Sequence, residues 1–239
     1  MVVSEGRRAE LAALTGIRPE TITVVPNGVD LAKMWKLEHR TTELVARTDL
    51  CGAVPRLLMP SRITPRKNIE LGLRVVAEMR AAGRPAGLIV SGPVDPHRPS
   101  GRAYLEQLLA LRHALALDDF AWFLSEELHG PPSDAMMDDL YHFADVLFMP
   151  SRDEGFGLPI LEAAINRVPI VCTGLPTLRE LAGNAAVYIG ADDDPAQISA
   201  RVLQLVDADR TNLLAREVRS KYAWEAVYRE RIAPILVSH

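Results

Sequence analysis

Short apolar runs alternate with stretches of helical periodicity along most of the chain. Arg56-Leu-Leu-Met59, Gly87-Leu-Ile-Val90, Phe120 to Leu124, Asp145-Val-Leu-Phe-Met149, Pro169 to Cys172 and Ala186 to Ile189 have the length of strands. The run at Asp145 is rich in β-formers and closed by Pro150-Ser151, which marks a buried parallel strand. Between these runs, Asn68 to Ala82 carries apolar residues at Ile69, Leu71, Leu73, Val76 and Met79 and predicts a helix. Further helices are predicted from Arg102 to Leu115, from Ser133 to Phe143 with Ser133 as cap, from Pro159 onward, around Thr177 to Leu181, and from Pro195 towards Val206. Strand and helix in strict alternation predict an α/β fold, a parallel sheet covered on both faces. Ligands of such sheets bind at the carboxyl ends of the strands.

The flanks are less regular. Ser4 to Leu14 fits a capped amphipathic helix, and Ile22 to Val25 reads as a short strand running into the turn Pro26-Asn27-Gly28. Residues 31–53 are polar with weak periodicity and read as a linker, or a frayed helix around Leu31 to Leu37. Thr211 to Val237 predicts one or two helices, with Tyr222, Trp224 and Tyr228 at the spacing of packing residues. Hydrophobic content of 48% with 24% charged residues excludes a disordered chain, and a net charge of −4 gives no global preference for nucleic acid or an anionic membrane. Cys51 and Cys172 lie far apart without metal-like spacing and read as reduced thiols. The first residues lack an apolar signal core and no run reaches the length of a membrane span, so the expected location is cytoplasmic, with at most peripheral membrane contact.

Candidate chemistry centres on the loop Glu154-Gly155-Phe156-Gly157, between the strand at Asp145 and the helix at Pro159. Glycines let a ligand approach the backbone, and a helix start offers unpaired N–H groups and the positive end of a dipole, so the combination suits a phosphorylated ligand. Glu154 and Glu162 are separated by seven residues, an interval repeated at Glu70/Glu78 and Glu217/Glu225, which read as solvated helix faces. Context separates the first pair: one carboxylate sits in the loop, the other in the first turn of the helix. Arg62 and Lys67 follow the strand at Arg56 and fall at a strand's carboxyl end, where two cations suit a diphosphate. On composition alone they read as surface charges. Asp192-Asp193-Asp194 precedes Pro195 and reads as a helix cap in preference to a metal site. His97 and His142 read as a loop and a helix-surface residue without catalytic role. A nicotinamide-binding Rossmann protein is a remote alternative, since Gly155-Phe-Gly157 follows a strand and Glu180 lies at a ribose-binding distance. Ile160 replaces the third glycine, however, and Glu180 falls within a helix.

The segment DVLFMPSRDEGFGLPILE, with its Glu-(seven residues)-Glu spacing, resembles the signature of the retaining, nucleotide-sugar-dependent glycosyltransferases of family 4, which have the GT-B fold. SEGRRAELAALTGIRPETITVVPNGVD resembles the crossover from the N-terminal to the C-terminal domain of that family. The resemblance implies the C-terminal, Rossmann-like half of a GT-B enzyme, with the N-terminal Rossmann domain largely absent. It divides the chain into a remnant and crossover (1–30), a linker (31–54), a nucleotide-sugar-binding domain (55–210) and helices that would pack on the N-terminal domain (211–239). Its implied activity is transfer of a hexose from a UDP-, GDP- or ADP-sugar to an acceptor, with retention and without a metal or other cofactor. Glu162 would accept from the ribose hydroxyls and Glu154 from hydroxyls of the sugar, while the amides of Gly155, Phe156, Gly157 and Leu158 would line sugar and phosphate. Arg62 and Lys67 would stabilise the departing diphosphate, making Arg62, Lys67 and Glu154 the implied catalytic residues. Ser61 stands where the family commonly has Gly, with Arg66 as a substitute contact. A separate N-terminal domain or self-association would supply the acceptor side; no nucleic acid partner is implied. The alternative of a different class is a nucleotide-sugar-binding module or fragment without independent activity.

Overall fold

The computed structural model describes residues 1–94, 99–128 and 130–237, so His97 lies outside the described residues. In chain order the main helices are α1 (Glu5–Thr15), α2 (Leu31–Trp35), α3 (His39–Arg47), α4 (Ile69–Ala81), α5 (Pro99–Ala114), α6 (Leu124–Glu127), α7 (Asp134–Phe143), α8 (Leu158–Ile165), α9 (Pro176–Ala182) and α10 (Pro195–Ala208). The strands are β1 (Arg56–Met59), β2 (Gly87–Val90), β3 (Ala121–Phe123), β4 (Val146–Met149), β5 (Ile170–Thr173) and β6 (Ala186–Ile189). The chain forms two compact units, Glu38–Arg210 and a second made of Met1–Leu37 with Thr211–His239.

Within the larger unit the six strands form one parallel sheet in the order β3-β2-β1-β4-β5-β6. The order reverses between β1 and β4, whose register pairs Leu57 with Val146 and Leu58 with Leu147. Alternate residues of a strand face opposite sides. Leu57, Met59, Leu88, Val90, Phe123, Val146 and Phe148 accordingly join α4, α5 and α10 in one buried cluster, while α7 and α8 pack near β1, β4 and β5. The sheet is therefore Rossmann-like, with helices on both faces, as the alternating pattern predicts.

Several boundaries differ from the sequence reading. The run at Phe120 gives only three strand residues, because Leu124 opens α6. The stretch read as a linker holds α2 and α3. Asp30 caps α2 by accepting from Lys33 N at 2.9 Å, and α3 buries Thr41 and Leu44, packs near α7, and is followed by buried Leu50, Cys51 and Ala53. These few apolar positions are too widely spaced to register as a periodic pattern, yet they carry 38–53 into the core of the larger unit.

In the smaller unit Ser4 caps α1 by accepting from Arg7 N at 3.2 Å. The strand expected at Ile22–Val25 is reduced to one parallel bridge between Val24 and Val2, after a 3-10 turn at Pro19–Thr21. Val29 bridges Ala223, and the Trp224 indole lies so close over Gly28 that a side chain there would enter the ring. Residues 25–28 form no turn, so Asn27-Gly28, read as a turn from the sequence, serves this close approach instead. Tyr222, Trp224 and Tyr228 retain 40%, 45% and 54% exposure, so packing covers them only in part.

Candidate functional site

The site forms where β1 and β4 release the chain, at the point where the strand order reverses. A crevice opens at such a point because the connections leaving the two strands diverge to opposite sides of the sheet. From β1 come Ser61, Arg62, a turn at Pro65–Lys67, and then α4; from β4 come Ser151 to Gly157 and then α8. Gly157, at φ +99°, makes the last bend before α8, and an added Cβ would also crowd Leu178. Glycine meets both demands. The N–H groups of Gly155, Phe156, Gly157 and Leu158 find no acceptor among the described residues, while that of Ile160 bonds Gly157 O at 2.9 Å. A helix start built this way presents several unpaired donors to a ligand.

The charged residues fall into two adjoining groups. Lys67 Nζ pairs with Glu154 Oε1, both side chains nearly buried, and Ser151 Oγ donates to the same oxygen at 2.8 Å. Glu154 Oε2 has no hydrogen-bond donor among the described residues. The second group lines a cleft of about 660 Å³ with Arg62, Tyr141, Leu158 and Glu162 in its walls. Glu162 is exposed and lies one turn into α8 instead of in the first turn as read from the sequence. Its Oε2 accepts from the Tyr141 hydroxyl at 2.5 Å, and burial, followed by the bond to the carboxylate and its charge, raises the Tyr141 phenol well above its ordinary value. Lys67 and Glu154 do not line this cleft; they are turned toward each other beside it. Arg62 is exposed and has no ion-pair partner among the described residues.

Buried and half-buried polar side chains hold these loops, and most of them had no role legible in the sequence. Asn68, in a left-handed conformation, donates from Nδ2 to Pro150 O at 3.2 Å and to Ala191 O at 2.9 Å. One side chain thereby ties the connections after β1, β4 and β6. Thr173 Oγ1 donates to Ser151 O at 2.7 Å, and Thr177 Oγ1 to Glu154 O at 3.2 Å. Arg66, the substitute contact expected from the sequence, is exposed and donates to Asp153 O at 3.3 Å. The acidic run is divided: Asp194 caps α10, Asp193 accepts from Gly190 N at 2.7 Å, and Asp192 pairs with Arg152 at 2.7 Å. That pair holds the Asp192 carboxyl below its ordinary value and raises the Arg152 guanidinium. Of the comparison pairs, Glu78, Glu217 and Glu225 are exposed as expected, but half-buried Glu70 accepts from the Tyr104 hydroxyl at 2.6 Å. His142 lies on the exposed face of α7.

Residues 48–223 match the family model described as glycosyl transferases group 1. The chain belongs to the group 1 glycosyltransferases. Among relatives of this glycosyltransferase, the D-inositol 3-phosphate glycosyltransferase of Kineococcus radiotolerans is 30% identical over 241 residues, covering 93% of this chain and 53% of that protein. The chain spans about half the length of the relatives it matches. Its fold superposes with a TM-score of 0.61 on a UDP-forming α,α-trehalose-phosphate synthase from Burkholderia vietnamiensis, at 14% identity, over 100% of this chain and 61% of that one. It superposes with a TM-score of 0.56 on Anabaena HepE in complex with UDP and glucose, at 18% identity, over 100% of this chain and 62% of that one. At these identities the likeness concerns the fold, and the architecture is that of the C-terminal half of a GT-B glycosyltransferase. Among the described residues, no helix is long and apolar enough to cross a membrane.

Proposed function

We propose that this glycosyltransferase chain binds a nucleotide-diphosphate hexose and supplies the donor side of transfer to an acceptor, with retention, as a family 4 enzyme of the cytoplasm that needs no metal. The observation that carries the reading is the placement of Arg62 and Glu162 in the walls of one cleft, beside the Lys67–Glu154 pair and four unpaired amides. A nucleotide sugar presents a diol, a dianionic diphosphate and a second polyol in that order. Glu162 Oε1 accepts from the ribose, while Arg62 and the amides face the diphosphate. Lys67 has three N–H donors, so it keeps Glu154 and still offers donors to phosphate. Glu154 Oε2 is left for a sugar hydroxyl. As the bond from anomeric carbon to phosphate oxygen breaks, charge grows on the diphosphate, and cations placed there stabilise the transition state more than the ground state. UDP bound to a fold neighbour supports the same class of donor, and the glycosyltransferase name of a relative supports glycosyl transfer. The domain plan supporting this reading assigns the donor to 55–210.

Calorimetric titration with UDP, GDP, ADP and their glucose and mannose conjugates tests the proposal. Selective binding of one nucleotide is expected, weakened about tenfold or more by Glu162→Ala. Binding that ignores this substitution removes the assignment of the ribose.

A further inference from the structure

The sequence motif names Glu162 but not what aims it. Tyr141 stands beside it, on α7, with only 3% of its surface exposed. Its hydroxyl reaches from α7 to α8 and donates to one oxygen of Glu162 at 2.5 Å. The other oxygen has no hydrogen-bond partner among the described residues, and both side chains line the same cleft. An exposed glutamate one turn into a helix would otherwise sample several rotamers, and a ligand needing one of them would bear the cost of freezing it. A buried tyrosine has few rotamers left to lose. Its raised phenol stays protonated through the neutral range, so the bond has one fixed polarity: hydroxyl donor, carboxylate acceptor.

We propose that Tyr141 is a positioning residue for donor binding: it holds Glu162 Oε2 so that Glu162 Oε1 faces the vicinal hydroxyls of the donor's ribose. The proposal rests on the nucleotide-sugar reading and adds the source of its preference for ribose over deoxyribose. Tyr141 makes no claim on the reacting atoms. It acts through Glu162, whose carboxylate keeps enough lone pairs to serve the tyrosine and a diol together. The preference follows from geometry. A carboxylate with one oxygen anchored gains most from two adjacent hydroxyls, and an unanchored one gains less from the same diol.

The test titrates the full chain and its Tyr141→Phe variant with UDP, GDP and ADP and with the 2′-deoxy form of each. Phenylalanine keeps the ring and removes only the hydroxyl. Expected is a loss of about tenfold in affinity for the ribonucleotide, with the deoxynucleotide changed by less than about twofold, so the ribose preference shrinks. In a Glu162→Ala background the same tyrosine substitution should change neither affinity, and this double comparison also serves if Tyr141→Phe lowers stability. Equal losses for both nucleotides would reduce Tyr141 to a packing residue. An unchanged ribose preference would overturn the proposal while leaving the donor reading intact. Failure of the unsubstituted chain to bind any of the three ribonucleotides would overturn both.

Discussion

At the scale of single residues, the two carboxylates are each anchored through one oxygen. Ser151, 2% exposed, donates to Glu154 and is itself fixed through its carbonyl by Thr173. Ser151→Ala leaves Lys67 as the remaining anchor of that oxygen. The expected result is a several-fold loss of affinity for the sugar-bearing donor with little change for the bare nucleoside diphosphate, read by paired titrations. Parallel losses would contradict the separate role of Glu154. Cys172 is fully buried on β5, and desolvation pushes its thiol up to about 11, against a weaker opposing effect of Arg179. The fold favours the neutral thiol, so this contribution to stability is fully present below about pH 9 and is lost as pH rises through about 11. Native protein at pH 8 should leave Cys51 and Cys172 unreactive toward a thiol reagent, and denatured protein should expose both. Fast native labelling of Cys172 would contradict its burial. The spacing along the chain gave no metal-like pairing for these thiols; the tertiary structure buries Cys172 in β5 and Cys51 in the turn before β1.

At the scale of elements, β1 and β4 are locked at their amino ends, opposite the site. Arg56 is fully buried and Asp145 nearly so. One Asp145 oxygen accepts from Arg56 N at 2.9 Å and from Nε and Nη2 at 3.2 Å, while Arg56 Nη1 reaches Leu50 O at 3.2 Å. Asp145 N returns a bond to Arg56 O at 2.9 Å. Such a pair gains little over an apolar pair of similar volume, but breaking one side strands a charge in the core. Asp145→Ala should therefore lower the unfolding free energy by about 3–5 kcal/mol in urea titration, and Arg56→Met with Asp145→Leu by much less. Equal losses would mean that the ion pair itself supplies the stability. Both residues were legible as strand ends, but their pairing was not, because 89 residues separate them.

At the scale of the whole chain, stability is concentrated in the central strands. β1, β2, β4 and β5 are buried along their full length, whereas α1 buries no residue. Amide exchange should be slowest in those four strands and in α4, and fastest in α1, since local opening of α1 exposes little apolar surface. Uniform protection across Glu5–Thr15 and the sheet would contradict this division. The two compact units divide after Leu37, so that 31–37 falls with the smaller unit and 38–54 with the larger. The pattern of apolar positions missed that boundary because α3 has only two buried residues, Thr41 and Leu44, and one of them is polar.

What the sequence by itself determined is what local physics encodes. Alternating apolar runs specify a buried parallel sheet, Ser4, Ser133 and Asp194 specify helix starts, and glycines beside a carboxylate mark the loop before α8. These signals depend on neighbours within a turn or two. Tertiary structure alone decided that Lys67 meets Glu154 across 87 residues, that Tyr141 takes one oxygen of Glu162, and that Asn68 ties loops as far apart as Ala191. A buried polar group must find a partner or bear the cost of desolvation, and which partner lies within reach is set by the strand order, not by spacing along the chain.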